Sequence, residues 1–185
     1  MAVVQHKNIT NADLHECKGA SAATVGQVLI ATGSGTATFQ NIIPRGSSYF
    51  VDLAAPYTLA YPAVYTKLAP VTTSTGTNVN YTVSTSGRLT YTGTRTLATR
   101  IVFNISLDQA IGANRDIELA IYKNGSVVPG SQIVNTTTST LKVLTTSIID
   151  VNLATNDYVE AYVKNAGASG DVRVYSYYLL ALGMQ

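Results

Sequence analysis

Ile117, Leu119 and Ile121 alternate with Glu118, Ala120 and Tyr122, and Asn124-Gly125 follows two residues later. A period of two places one face of a strand in a core and the other outside. Asn and Gly both tolerate positive φ, so the pair predicts a tight two-residue hairpin turn. The chain then returns as Ser126 to Val134, broken by Pro129-Gly130, which suits an edge or a bulge. A chain built around such a hairpin is committed to β-structure, and the sequence on either side continues in that mode.

Tyr81 to Val83 and Arg88 to Tyr91 flank Ser84-Thr85-Ser86-Gly87. Ile101, Phe103, Ile105 and Leu107 alternate with Val102, Asn104 and Ser106. Leu141 to Val151 reads as a strand, Ala154 to Asp157 as a turn, and Tyr158 to Lys164 as another alternating strand. Asn165 to Asp171 is a Gly-rich turn before the closing strand, Val172 to Leu182. No stretch carries a helical period. About eight short strands separated by regular turn signals predict an all-β sandwich of the jelly-roll type.

The closing strand is apolar on both faces. A straight reading puts Val172, Val174, Tyr178, Leu180 and Leu182 on one face and Tyr175, Tyr177, Leu179 and Ala181 on the other. A strand of this kind must be buried twice. One face fills the sandwich, and the other predicts a contact between subunits, assigned to Tyr175, Tyr177, Leu179 and Ala181. The alternative is that Pro44 to Pro70 folds back over that face. That segment carries Pro56, Pro62 and Pro70 after its opening Pro44, which disfavour long regular elements, and five aromatics, Tyr49, Phe50, Tyr57, Tyr61 and Tyr65. It reads either as a linker covering the sandwich edge or as a partner-binding surface.

Residues 1–43 differ in character. Small and polar residues surround one apolar run, Val28-Leu29-Ile30-Ala31, followed by Thr32-Gly33-Ser34-Gly35-Thr36 and a second short strand candidate reaching Ile43. The segment is too poor in large apolar residues to enclose a core. The segment is either disordered or extended and held on another surface; its strand-sized runs favour the second, with Val28, Leu29, Ile30 and Phe39 as docking residues. Residues 44–75 then form a linker with first strands, and 76–185 the sandwich.

Composition excludes several classes of function. Charged residues are 12% of the chain, about half the usual share, and the net charge is +2. The charge is even: four basic and three acidic residues up to Thr75, eight and seven after it. No basic patch supports nucleic-acid binding. No run of about 18 apolar residues predicts a membrane span. A single cysteine, Cys17, excludes an internal disulfide framework, and no secretion signal precedes Gln5, so synthesis in a reducing cytoplasm is expected. The potential metal ligands His6, His15, Glu16 and Cys17 lack a ligand-pair spacing. Asp116, Glu118 and Glu160 read as strand-surface charges rather than a hydrolytic pair. Gly33-Ser34-Gly35 is a turn without a following helix. No catalytic residue, cofactor or metal site is expected, and the chain is read as non-enzymatic.

Gly87-Arg88-Leu89-Thr90-Tyr91-Thr92-Gly93, Ile121 to Gly125, Val151-Asn152-Leu153 leading to Asp157-Tyr158-Val159-Glu160, and Val174 to Gly183 occur in an order that resembles the C1q/TNF-like jelly roll. The resemblance covers about half the chain and implies a tight homotrimer with the terminal strands near its three-fold axis. Some families of such heads bind calcium through loop carboxylates, but Asp150, Asp157 and Asp171 form no dense cluster in the sequence. His15-Glu16-Cys17-Lys18-Gly19-Ala20-Ser21, Gly26-Gln27-Val28, Gly33-Ser34-Gly35 and Phe39 resemble a segment of tailed-bacteriophage structural proteins, with Cys17 where proline is usual and Phe39 where tryptophan is usual. Together the resemblances imply a capsid-decoration or head-fibre protein on the virion exterior, its N-terminal arm docked on the major capsid protein. The other reading is a tail knob that binds a host-surface ligand through loops such as Asn165 to Asp171 or Gly112 to Arg115. The absence of a long repetitive shaft favours the capsid.

Overall fold

The computed structural model describes residues 27–33, 36–41, 43–70, 72, 78–110, 114–167 and 170–184. The chain divides into two compact units, Met1–Ile42 and Ile43–Gln185. In the first, β1 (Gln27–Gly33) and β2 (Thr36–Asn41) form an antiparallel hairpin. The second is all β, with no helix among the described residues.

The second unit is a sandwich of two sheets. One contains β5 (Thr66–Lys67), β6 (Tyr81–Val83), β7 (Leu89–Tyr91), β9 (Arg115–Lys123), β10 (Ser126–Val127), β11 (Ile133–Thr137) and β13 (Tyr158–Asn165). Its order is β10-β9-β13-β7-β6, with β11 also on β9 and β5 also on β13. The other contains β3 (Arg45–Val51), β4 (Tyr57–Leu59), β8 (Leu97–Gln109), β12 (Val143–Leu153) and β14 (Val172–Gly183). Its order is β12-β8-β14-β3, with β4 also on β14. The alternating residues of both sheets meet between them: Ile101, Phe103 and Ile105 from β8, Ile117, Leu119 and Ile121 from β9, and Val159, Ala161 and Val163 from β13 all belong to one buried cluster. Phe103 packs edge-on against Tyr177, 5.7 Å between centroids, and burial pushes the Tyr177 hydroxyl up to about 12.

The β9–β10 hairpin is as the sequence predicts. Asn124 and Gly125 have φ of 50° and 78°, and Lys123 pairs with Ser126. Pro44 to Pro70 is more regular than its prolines suggest. Its β3 hydrogen-bonds along the edge of β14 instead of lying over β14's face. The segment therefore widens the sheet and leaves that face open.

Three strands change partner along their length, and each junction is closed by a specific polar group. On β9, the gap between β10 and β11 at Pro129-Gly130 is plugged by Ser131, whose hydroxyl accepts from Ile121 N at 3.0 Å and lies 2.7 Å from Val128 O. On β14, the step from β4 to β3 coincides with a bulge between Val174 and Ser176, where Asp52 N donates to Tyr175 O at 2.9 Å. On β13, the step from β7 to β5 is clamped by Glu160. Its Oε1 receives Lys67 Nζ from β5 at 2.6 Å and Arg88 Nε from the start of β7 at 2.8 Å. Burial pushes the Glu160 carboxyl up, but the hydrogen bonds and charges of Lys67 and Arg88 outweigh it and hold the group below its ordinary value of 4.5.

A lowered folded pKa means the clamp's contribution is complete above that ordinary value and is lost as pH falls from 4.5 through the folded value. Glu160→Gln should cost about 2 kcal/mol at neutral pH, less than a fully buried pair because both cations still reach solvent. The measurement is denaturant unfolding at several pH values; the variant should also show a shallower acid loss than the parent. Leu179→Ala should cost about 3 kcal/mol for the cavity it opens, and a loss under about 1 kcal/mol in the same assay would place Leu179 outside the core.

Candidate functional site

The surface that stands out is the outward face of the β12-β8-β14-β3 sheet. Register sets it in rows. Tyr49, Tyr178, Asn104 and Thr146 form one row, and Ser47, Leu180, Val102 and Ile148 the next. Val51, Ser176, Ser106 and Leu144 form a third. None of these twelve residues is charged. Val51, Leu144 and Ile148 are 59%, 74% and 59% exposed, so their own subunit removes less than half of each from water. Within these rows Thr146 Oγ1 donates to Asn104 Oδ1 at 2.7 Å. A hollow of about 280 Å³ lies between Tyr49, Val51, Leu144 and Tyr178.

Charges close the face at both ends. At one end, Arg100 grips Asp150 across the β8–β12 pair, Nε to Oδ1 at 2.8 Å and Nη2 to Oδ2 at 2.9 Å. At the other, Arg173 holds Asp108 with two bonds of 2.7 and 2.9 Å, and the Tyr175 hydroxyl donates to Asp108 Oδ2 at 2.9 Å. Lys142 Nζ stands 3.8 Å over the Tyr175 ring. The hydrogen bond to Asp108 pushes the Arg173 guanidinium up, while burial and then Asp108 push the Tyr175 hydroxyl up. An apolar centre with a charged rim is the anatomy of an interface between folded chains.

The structure places the residues expected to make the subunit contact inside their own subunit. Tyr177, Leu179 and Ala181 are 1%, 0% and 0% exposed and belong to the core of their own subunit. Tyr175 is the extra residue of the bulge, covered by Lys142 and tied to Asp108 rather than presented to a partner. The bulge exchanges the two faces: Val172 and Val174 point inward before it, and Tyr177, Leu179 and Ala181 after it. Ser176, Tyr178, Leu180 and Leu182 are left on the outside, half-buried. The signal that would have found them is the change of partner strand at Asp52, which sequence periodicity does not contain.

In the first unit, Val28 and Leu29 are 37% and 41% exposed, and Leu29 pairs across the hairpin with the half-buried Phe39. Adjacent residues point to opposite faces, so apolar side chains stand on both sides of a two-stranded ribbon, which is marginal without a further surface. Ile30 is placed on β1 opposite Thr38. His6, His15, Glu16 and Cys17 lie outside the described residues, as do Gly112 and part of the loop from Asn165 to Asp171. Asp150 is held by Arg100, Asp157 by Lys123 and Asn124, and Asp171 accepts from Tyr61 N. Among the described residues no group of three His, Cys, Asp or Glu is arranged to hold a metal. Asp116 and Glu118 bond to Thr136 and to Lys164 and Tyr65 respectively, on the outside of β9.

No protein-family model matches the chain, and no curated protein matches it in sequence. Solved structures do. The structure of Eiger TNF from S. frugiperda aligns with a TM-score of 0.53 at 10% identity, over 77% of this chain and 93% of that one. The globular domain of zebrafish complement 1qA protein aligns with a TM-score of 0.48 at 11% identity, over 76% and 96% of the two chains. Murine APRIL aligns with a TM-score of 0.44 at 6% identity, over 76% and 99%. With the two sheets, their order and the Eiger TNF alignment in place, the chain has the C1q/TNF-like jelly-roll fold.

Proposed function

We propose that the chain is a non-enzymatic structural protein of a tailed-bacteriophage virion, a homotrimer that decorates the capsid exterior and is anchored to the major capsid protein by residues 1–43. The observation that carries this reading is the uncharged outward face of the β12-β8-β14-β3 sheet, with Tyr178, Leu180, Val102 and Ile148 at its centre. A second copy covers it in a closed cyclic assembly, so the subunit contact moves to these residues from those the sequence assigned. The first unit, compact by itself and apolar on both faces of its hairpin, supplies the attachment. Three such arms on one trimer raise the effective concentration of each at the particle, so modest single contacts give lasting attachment.

Deletion of residues 1–43 tests the division of labour. The shortened protein should remain trimeric by native mass and should fail to co-sediment with particles that lack the parent protein. A shortened protein that still decorates them overturns the arm's role. Gold labelling of purified virions should place the intact protein over the head; label confined to the tail tip overturns the capsid reading in favour of a receptor-binding knob.

A further inference from the structure

The opposite sheet carries a different surface on its outside. Tyr122 of β9 and Tyr162 of β13 stack with centroids 3.9 Å apart and planes 23° from parallel. Tyr65, just before β5, reaches across the sheet to Tyr122, 5.9 Å between centroids, and its hydroxyl donates to Glu118 Oε2 at 2.9 Å. Arg88 lies 3.9 Å over the ring of Tyr158. All four tyrosines are half-buried, so each keeps part of its surface in water.

We infer that this tyrosine cluster is a binding platform for a neutral oligosaccharide. Three properties lead there. First, the charges among the rings are matched at short range. Lys164 pairs with Glu118 at 2.9 Å, and Lys67 and Arg88 share Glu160 at 2.6 and 2.8 Å. Three cations against these two carboxylates leave +1, which Asp116 beside Glu118 offsets, so neither a polyanion nor a polycation is favoured. Second, the rings are interleaved with Lys, Glu and Arg. Lys and Glu are depleted from the dry centre of protein–protein interfaces, which speaks against a folded protein as occupant. The exposed large aliphatics on the strands of this face are, among the described residues, Val127 and Val134 on the outer strands β10 and β11. Third, the polar groups are held in place by one another before any ligand arrives, which lowers the ordering cost of binding. A sugar ring suits this arrangement. Its C–H face lies against an aromatic ring, and its hydroxyls both donate and accept, so they add to paired carboxylates and ammonium groups without breaking the pairs. The platform is on the sheet face opposite the subunit contact, and the inference does not rest on the particle reading.

The test is an array of immobilised neutral oligosaccharides (gluco-, galacto-, manno- and N-acetylhexosamine series) probed with the full chain. Hits are titrated in solution by tyrosine fluorescence, since the chain has 12 Tyr and no Trp. At least one neutral glycan should bind saturably, and Tyr122→Ala and Tyr162→Ala should each weaken it by roughly tenfold or more. Tyr162→Phe, which keeps the stack, should retain most of the affinity, and Leu53→Ala, at an exposed position between β3 and β4, should leave it unchanged. Binding to no neutral glycan, binding confined to sialylated or sulfated ones, or binding that Tyr122→Ala and Tyr162→Ala leave intact overturns the proposal.

Discussion

Strand β14 sits in the middle of its sheet with β8 along one edge and β3 and β4 along the other, so its backbone is satisfied within the subunit. Its side chains are not. Tyr177, Leu179 and Ala181 close the core, and Tyr178, Leu180 and Leu182 then point away from it by the geometry of the strand. Val102, Ile148 and Leu144 extend the same apolar surface across β8 and β12. The sandwich has a second layer for only one of these faces. The other is the face that the proposed trimer covers.

The two sheets divide the work of the surface. One presents an outward face with an uncharged centre and charge at its ends, including the pairs Arg100–Asp150 and Arg173–Asp108. The other presents tyrosines threaded with matched ion pairs, centred on Glu160 and Glu118. The first resembles a slice through a protein interior and suits another protein chain. The second is polar without carrying appreciable net charge and suits a hydroxyl-rich ligand. Glu160 serves both the fold and this surface, because the residue that closes the β7–β5 junction also orders the cations between the rings.

Much of the architecture was legible in the chain. The alternation in Ile117 to Tyr122, the Asn124-Gly125 turn and the periodic stretches at Ile101 and Tyr158 each carry their own local signal, and each became the expected element. What escaped was set by contacts distant in sequence. In a strand apolar on both faces, periodicity cannot say which face is inward, and the bulge at Tyr175 depends on β3 and β4 meeting there. The place of β3 beside β14 escaped for a related reason. Gly46, Ser47 and Ser48 carry no β signal, yet they are buried, and a Cβ on Gly46 would come within 2.6 Å of Tyr81. Small residues are needed there because another strand passes close by.

The account stands on the outward face of β14 being covered by further copies of the same chain. Sedimentation equilibrium of the intact protein and of Leu180→Asp at micromolar concentration tests this most directly. The intact protein should sediment as three chains, and the variant, with native circular dichroism, as one. A stable single-chain mass for the intact protein, or an unchanged three-chain mass for the variant, would contradict it.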